Sequence, residues 1–128
     1  MLIRNILEES VRKFDEVKAV KWLKKKEIME RSYGELMENV VSTRKGLLAE
    51  GFEGKHIALI GTSSVEWMES YLGIITGCTT AVPLDAALPC EDLIDLLNRS
   101  DSVALFLSPK LKPYLDAFLA NCPKLQKV

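Results

Sequence analysis

One short polar loop could take part in ligand binding in this 128-residue chain. It reads Gly61-Thr62-Ser63-Ser64 and directly follows an apolar run. Such a loop can hold an anion where backbone NH groups meet the start of a following helix. Serine and threonine hydroxyls also cap helices, and the Gly-x-x-x-x-Gly-Lys-[Ser/Thr] and Gly-x-Gly-x-x-Gly phosphate-binding patterns are missing. Helix capping is therefore the favoured interpretation of this loop.

The histidine and the cysteines do not form a pattern typical of catalysis or metal binding. His56 is the one histidine, and no nucleophile and carboxylate accompany it as a triad would require. Cys78, Cys90 and Cys122 are odd in number, widely spaced and lack a Cys-x-x-Cys pair. We expect a structural histidine and free thiols in a reducing compartment, with the cytoplasm as the predicted location.

An aspartate and a lysine raise the possibility of a phospho-receiver domain. Asp85 follows one predicted strand and Lys110 follows another. A receiver also needs clustered carboxylates after its first strand to hold magnesium, and that position is occupied by the polar loop at 61–64. Asp85 is better interpreted as a loop or cap residue, and Lys110 as a surface residue at a helix start.

Composition and charge exclude several classes of partner. The chain is 48% hydrophobic and 27% charged, with 17 basic and 18 acidic residues and a net charge of −1. This balance gives no electrostatic reason to expect nucleic acid or an anionic membrane. The longest apolar stretch, residues 72–84, is too short and too interrupted to span a bilayer. The lysines at 24–26 are expected at a solvated hairpin tip.

Hydrophobic periodicity predicts the elements of the first half. Apolar residues at helical spacing indicate a helix over 3–14, and two short extended runs, 17–23 and 28–31, indicate a β-hairpin. Ser32 and Glu35 form a capping box, in which the serine accepts from the Glu35 amide and the glutamate reaches back to the Ser32 amide. The following helix should run to about Glu50 and stop at Gly51.

The second half alternates between strands and helices. We expect strands at 56–61, 79–84 and 103–107, helices at 65–76 and from Pro89, and a last helix over 109–121. Trp67 is placed on a core-facing helix, where truncation to alanine should cost about 3–5 kcal/mol. This order predicts an α/β fold: a parallel sheet flanked by helices on both faces, with right-handed crossovers. The hairpin would add an edge, and residues 123–128 look like the approach to another strand.

Several blocks of sequence together resemble a known enzyme family. Residues 31–36 read Arg-Ser-Tyr-Gly-Glu-Leu, and residues 72–85 read Leu-Gly-Ile-Ile-Thr-Gly-Cys-Thr-Thr-Ala-Val-Pro-Leu-Asp. They resemble the first two core motifs of the adenylate-forming ligases, the acyl-CoA synthetase superfamily. With the blocks at 54–61, 64–67, 88–93 and 97–106, the order is most similar to the N-terminal part of bacterial long-chain fatty acid–CoA ligases. Many relatives have an asparagine in the loop that here reads Thr62-Ser63-Ser64.

The resemblance implies a two-step reaction for a larger parent enzyme. A carboxylate attacks the α-phosphate of ATP to give an acyl-adenylate and pyrophosphate, and coenzyme A then displaces AMP. The family's phosphate loop, adenosine-binding residues and C-terminal lysine have no counterpart in this sequence. We therefore assign no catalytic, cofactor-binding or metal residue here, although ATP, Mg and CoA are expected for the parent.

Two hypotheses about the whole chain follow from this. In the first, residues 1–128 are a single α/β domain, the truncated N-terminal subdomain of a ligase, with the remainder of that ligase as its partner. This fragment would be inactive scaffold and could form a homodimer. In the second, the chain is a free-standing, non-catalytic α/β protein-binding module that uses an open sheet edge.

Overall fold

The computed structural model describes residues 2–128, and the predicted elements appear in the predicted order. The helices are α1 (Ile3–Phe14), α2 (Tyr33–Ala49), α3 (Val65–Ile75), α4 (Cys90–Arg99) and α5 (Leu115–Asn121), with a 3₁₀ helix at Pro109–Tyr114. The strands are β1 (Lys18–Lys24), β2 (Glu27–Ser32), β3 (His56–Ile60), β4 (Thr80–Leu84) and β5 (Ser102–Leu107).

A three-stranded parallel sheet, in the order β4-β3-β5, forms the centre of the molecule. Its middle strand β3 is buried on both faces, as its continuous apolar sequence predicted. On one face Ala58, Ile60 and Leu105 pack with buried residues of α4 and α5. On the other face Ile57 and Ala104 pack with α2 and α3. The α/β architecture with helices on both faces is therefore confirmed.

A fourth strand begins to pair beyond β5. Lys127 forms a parallel bridge with Ala104, and the Leu105 amide donates to the Lys127 carbonyl at 3.0 Å. The Gln126 amide donates to the carbonyl of Val103 at 2.7 Å. The expectation that residues 123–128 approach a strand is therefore confirmed.

The β1–β2 hairpin lies apart from this sheet, contrary to our expectation that it would add an edge. It forms its own two-stranded antiparallel sheet. Lys25 and Lys26 make its two-residue turn with positive φ angles of 49° and 71°, the pattern of a type I′ turn. Because this short turn lets β1 and β2 pair with each other, the hairpin forms without pairing to a strand of the parallel sheet.

The two helices on the hairpin side begin with the capping serines that the sequence indicated. Ser32 Oγ accepts from the Glu35 amide at 3.1 Å, and Ser64 Oγ accepts from the Trp67 amide at 3.0 Å. The second half of the capping box differs, because the Glu35 carboxylate accepts from the Ser32 hydroxyl at 3.1 Å. Gly51 follows α2 with a φ of +78°, which favours glycine at this stop.

The placement of α3 against the core is confirmed, because Val65, Glu69, Gly73 and Ile74 are buried, whereas Trp67 itself is only half-buried. One local prediction was wrong. The predicted last helix is divided into the 3₁₀ helix and α5, with Pro113 inside the 3₁₀ segment. Proline lacks the backbone NH that a continuous α-helix requires, which accounts for the tighter first part.

Candidate functional site

Strand order locates the best candidate for a ligand-facing crevice. The chain runs from β3 outward to β4 on one side and then crosses to β5 on the other. The segments that leave β3 and β5 therefore lead to opposite faces, through α3 on one face and α5 on the other. In open α/β sheets, ligands bind outside the carboxyl ends of the strands at such a switch point.

A cavity of about 640 Å³ lies at this position. Its floor is formed by the ends of β3 and β5, and its walls by the loop after β3, the first turns of α3 and the loop after β5. The residues that line it are Lys24, Leu59, Ile60, Gly61, Thr62, Ser64, Glu66, Trp67, Ser70, Phe106, Leu107, Ser108, Pro109 and Lys110. We call this cavity the switch-point crevice.

The chemistry of the crevice suits binding more than catalysis. The floor of the crevice is apolar, and hydroxyl groups, the Trp67 ring and two lysines surround it. The Trp67 ring stacks on Tyr71, with 5.2 Å between the ring centroids. Glu66 is the single carboxylate among the residues that line the cavity in the described part of the chain. These groups could hold a small amphipathic ligand, but they contain no pair of titratable groups at hydrogen-bond distance of the kind that acid–base or nucleophilic catalysis uses.

The structure brings the polar loop and Lys110 together and places Asp85 elsewhere. The polar loop at 61–64 and Lys110 both border the crevice. Ser64 caps α3, so the capping interpretation is confirmed for that residue. Asp85 lies after β4, where its Oδ1 accepts from the Ala87 amide at 2.9 Å, in keeping with a loop role.

The histidine and the cysteines lie apart from one another. His56 Nδ1 contacts the Ser100 carbonyl oxygen at 2.7 Å, which supports a structural role. Cys78 is exposed, Cys90 is half-buried and Cys122 is buried, and all three are free. Burial raises the pKa of the Cys122 thiol above its usual value. Within residues 2–128, no group of three or more His, Cys, Asp or Glu side chains could hold a metal ion.

Sequence reasoning missed a buried ionic cluster between the hairpin and the helices. Arg31 Nη1 donates to both carboxylate oxygens of Glu69, at 2.5 and 2.6 Å, and Asn39 Nδ2 donates to the same carboxylate at 2.6 Å. Glu69 is only 5% exposed, and the Arg31 guanidinium also lies over the Trp22 ring at 5.4 Å. The one signal in the sequence was a glutamate four residues from both Val65 and Gly73, on a helix face that is otherwise apolar or small.

Comparison with known proteins identifies the family. The model of the AMP-binding enzyme family matches residues 7–128. A curated CoA ligase of Gibberella moniliformis (strain M3125 / FGSC 7600) is 28% identical over 95 residues, which is 70% of this chain and 16% of that protein. The chain belongs to the AMP-binding enzyme family, that of the adenylate-forming acyl-CoA ligases.

Solved structures share the fold. The anthranilate CoA ligase AuaEII, in complex with anthranoyl-AMP, superposes on 100% of this chain and 25% of its own, with a TM-score of 0.86 and 18% identity. The N-terminal domain of FACL13 from Mycobacterium tuberculosis superposes on 99% of this chain and 33% of its own, with a TM-score of 0.88 and 19% identity. The chain thus spans a third or less of the length of these relatives. No helix in residues 2–128 is long and apolar enough to cross a membrane.

Proposed function

We propose that residues 1–128 form the N-terminal part of an ATP-dependent acyl-CoA synthetase. The main support for this proposal is the family match over residues 7–128. In addition, the anthranilate CoA ligase described above superposes on the whole length of this chain. The reaction joins a carboxylic acid to coenzyme A. An acyl-adenylate forms first with release of pyrophosphate, and the thiol then displaces AMP.

In this proposal the chain is scaffold, and the later residues of the ligase supply the catalytic groups. The sequence has no glycine-rich phosphate loop with its lysine, and residues 2–128 offer no carboxylate cluster for magnesium. Binding of ATP, Mg and CoA is therefore assigned to the parent enzyme. Electrostatic stabilisation of a phosphoryl transfer needs such groups close to the phosphates.

The outer edge of β5 beyond its pairing with residues 126–127 is the proposed contact with those later residues. Leu105 donates to Lys127 on this edge, whereas Ser108 donates to Ile60 on the other side. Because amides alternate in direction along a parallel strand, the Leu107 amide points to the free edge. An apolar groove of about 690 Å³ lies beside it, lined by Leu47 and Phe106 among others. Further strand and helix from the same polypeptide would cover both.

A fatty acid is the proposed acyl substrate. The sequence blocks are most similar to the long-chain branch, and a Mycobacterium tuberculosis fatty acyl CoA synthetase superposes on 98% of this chain with a TM-score of 0.86 and 19% identity. An anthranilate ligase superposes equally well, so the substrate test must include aromatic acids.

Pyrophosphate release tests this function. The polypeptide encoded by the uninterrupted reading frame that contains residues 1–128 is incubated with ATP, Mg and CoA, with and without palmitate, octanoate, acetate or anthranilate. We expect release that depends on a fatty acid and formation of its CoA thioester, whereas residues 1–128 alone release none. Release by residues 1–128 alone would contradict the scaffold role. Failure of the longer polypeptide with every acid would favour the protein-binding module.

Hydrogen exchange tests the docking edge separately. We expect the Leu107 amide to exchange rapidly in residues 1–128 and slowly in the longer polypeptide. The Ser108 amide, which donates to Ile60 at 2.9 Å, is the matched control and should be protected in both. Equal exchange of Leu107 in the two proteins would mean that the later residues do not extend β5.

A further inference from the structure

The hairpin is attached to the rest of the molecule through few side chains. Most of its residues are exposed, including the cross-strand pair Leu23 and Ile28, each 71% exposed. Ser32 at the end of β2 is buried, and Ala19, Val20, Trp22 and Arg31 are half-buried. Of these, Arg31 places its guanidinium in the buried cluster with Glu69 and Asn39. The side chains of Arg31 and Glu69 are 22% and 7% exposed, so this ion pair is largely withdrawn from water.

The other end of the hairpin reaches the switch-point crevice. Lys24, the last residue of β1, lines that cavity together with Trp67 and Lys110. Trp67 and Glu69 belong to the same helix, α3, so one element carries both the wall of the crevice and the anchor of the hairpin. The position of the hairpin tip is therefore tied, through Arg31 and Glu69, to the helix that borders the crevice.

We propose that the β1–β2 hairpin is a strap across the switch-point crevice, and that the Arg31–Glu69–Asn39 cluster is the latch that holds it closed. With the latch intact, Lys24 lies at the mouth of the cavity. When the latch breaks, the hairpin leaves α3 and the Trp67 side of the crevice opens. This inference concerns a conformational device and does not depend on the ligase assignment.

Three physical arguments support the latch. Whichever charge of the pair loses its partner keeps the cost of desolvation, so removal of either Arg31 or the Glu69 carboxylate destabilises the docked hairpin. The charge-assisted hydrogen bonds from Arg31 Nη1 to the Glu69 carboxylate also hold β2 against α3. In addition, an isolated two-stranded hairpin is marginally stable in water, so an undocked strap should lose its own backbone protection.

The first test is hydrogen exchange of the Glu69→Gln variant of residues 1–128. Glutamine keeps the size of the side chain but removes its charge. We expect exchange of the amides at 18–32 to accelerate by about tenfold or more, while the amides of β3 are unchanged. Arg31→Lys, which keeps the charge but loses the planar guanidinium over the Trp22 ring, should give an intermediate acceleration. Asp95→Asn, which removes an exposed ion pair with Arg99, is the matched control and should change neither region.

The second test measures access to Trp67. In a Trp22→Phe background the fluorescence reports Trp67 alone, and this variant keeps an aromatic ring beneath the Arg31 guanidinium. Hydrogen exchange at 18–32 must first be unchanged by Trp22→Phe, and we then expect acrylamide quenching to rise by about twofold when Glu69→Gln is added. The proposal is contradicted if hairpin exchange is unchanged in both latch variants, or if β3 accelerates together with the hairpin. It is also contradicted if the hairpin loosens while quenching of Trp67 stays constant, because the hairpin would then not cover the crevice.

Discussion

At the residue scale, three cysteines that the sequence could not distinguish lie in three different environments. Cys78 is exposed after α3, Cys90 begins α4 half-buried, and Cys122 is buried against α4 and α5. Thiolate is the reactive form of cysteine, so a raised pKa and burial both slow its chemistry. Reactivity toward a thiol reagent therefore reports on the core without any mutation.

We predict that Cys78 reacts with Ellman's reagent at pH 8 at nearly the rate of a free thiol. Cys122 should react at least about a hundredfold more slowly, because burial excludes the reagent and raises the pKa of the thiol. Peptide mapping at timed points assigns the sites, and unfolding in guanidinium is the control that should equalise them. Rapid labelling of Cys122 in the folded protein would contradict the described core.

Trp67 and Phe118 differ in burial, and their truncation tests how much each contributes to the core. Trp67 is half-buried and stacks on Tyr71, whereas Phe118 is fully buried at the centre of the cluster with α4. We predict that Trp67→Ala lowers the free energy of unfolding by about 1–2 kcal/mol and Phe118→Ala by about 3–5 kcal/mol. Urea denaturation measures both. A loss from Trp67→Ala as large as that from Phe118→Ala would mean that Trp67 is buried as deeply as Phe118.

At the element scale, local signals in the sequence identified almost every helix and strand. Ser32 and Ser64 marked helix starts because their hydroxyls satisfy free amides, and Gly51 marked a helix end because its φ is positive. The latch could not be predicted in the same way, because Arg31 and Glu69 are 38 positions apart in sequence. The placement of the hairpin outside the main sheet escaped prediction for the same reason: it depends on long-range contacts.

The cap of α3 is testable by a pair of neighbouring serines. We predict that Ser64→Ala lowers the free energy of unfolding by about 1 kcal/mol, because the Trp67 amide loses its acceptor. Ser63→Ala, at an exposed position of the same loop, is the matched control and should change stability by less than about 0.5 kcal/mol. If Ser64→Ala and Ser63→Ala have equal effects in thermal or urea denaturation, the Ser64 cap does not stabilise α3.

The close approach of α2 and α3 predicts opposite effects at two glycines. A Cβ at Gly73 would lie 2.5 Å from Thr43 Cβ, whereas a Cβ at Gly46 would meet nothing within 4 Å. We predict that Gly73→Ala is destabilising by about 1–3 kcal/mol through overpacking. Gly46→Ala should stabilise by about 0.5–1 kcal/mol through helix propensity. Effects of the same sign in urea denaturation would mean that the helices are further apart than described.

At the scale of the whole molecule, the chain is an α/β unit in which an apolar groove lies beside β5, and we propose that later residues of a ligase cover this groove. From the sequence, the polar loop at 61–64 was interpreted as a helix cap and Lys110 as a surface residue; in the structure Gly61, Thr62, Ser64 and Lys110 all border the switch-point crevice. The crevice itself required the strand order, because it forms where the connections from β3 and β5 diverge. The absence of catalytic residues from this chain stays a prediction.

The most direct measurement is ATP–pyrophosphate exchange, which reports formation of the acyl-adenylate independently of CoA. The polypeptide encoded by the uninterrupted reading frame and residues 1–128 alone are compared, each with and without palmitate. We expect palmitate-dependent exchange by the longer polypeptide and none by residues 1–128. Exchange by residues 1–128 alone, or none by the longer polypeptide with any carboxylic acid, would contradict this expectation.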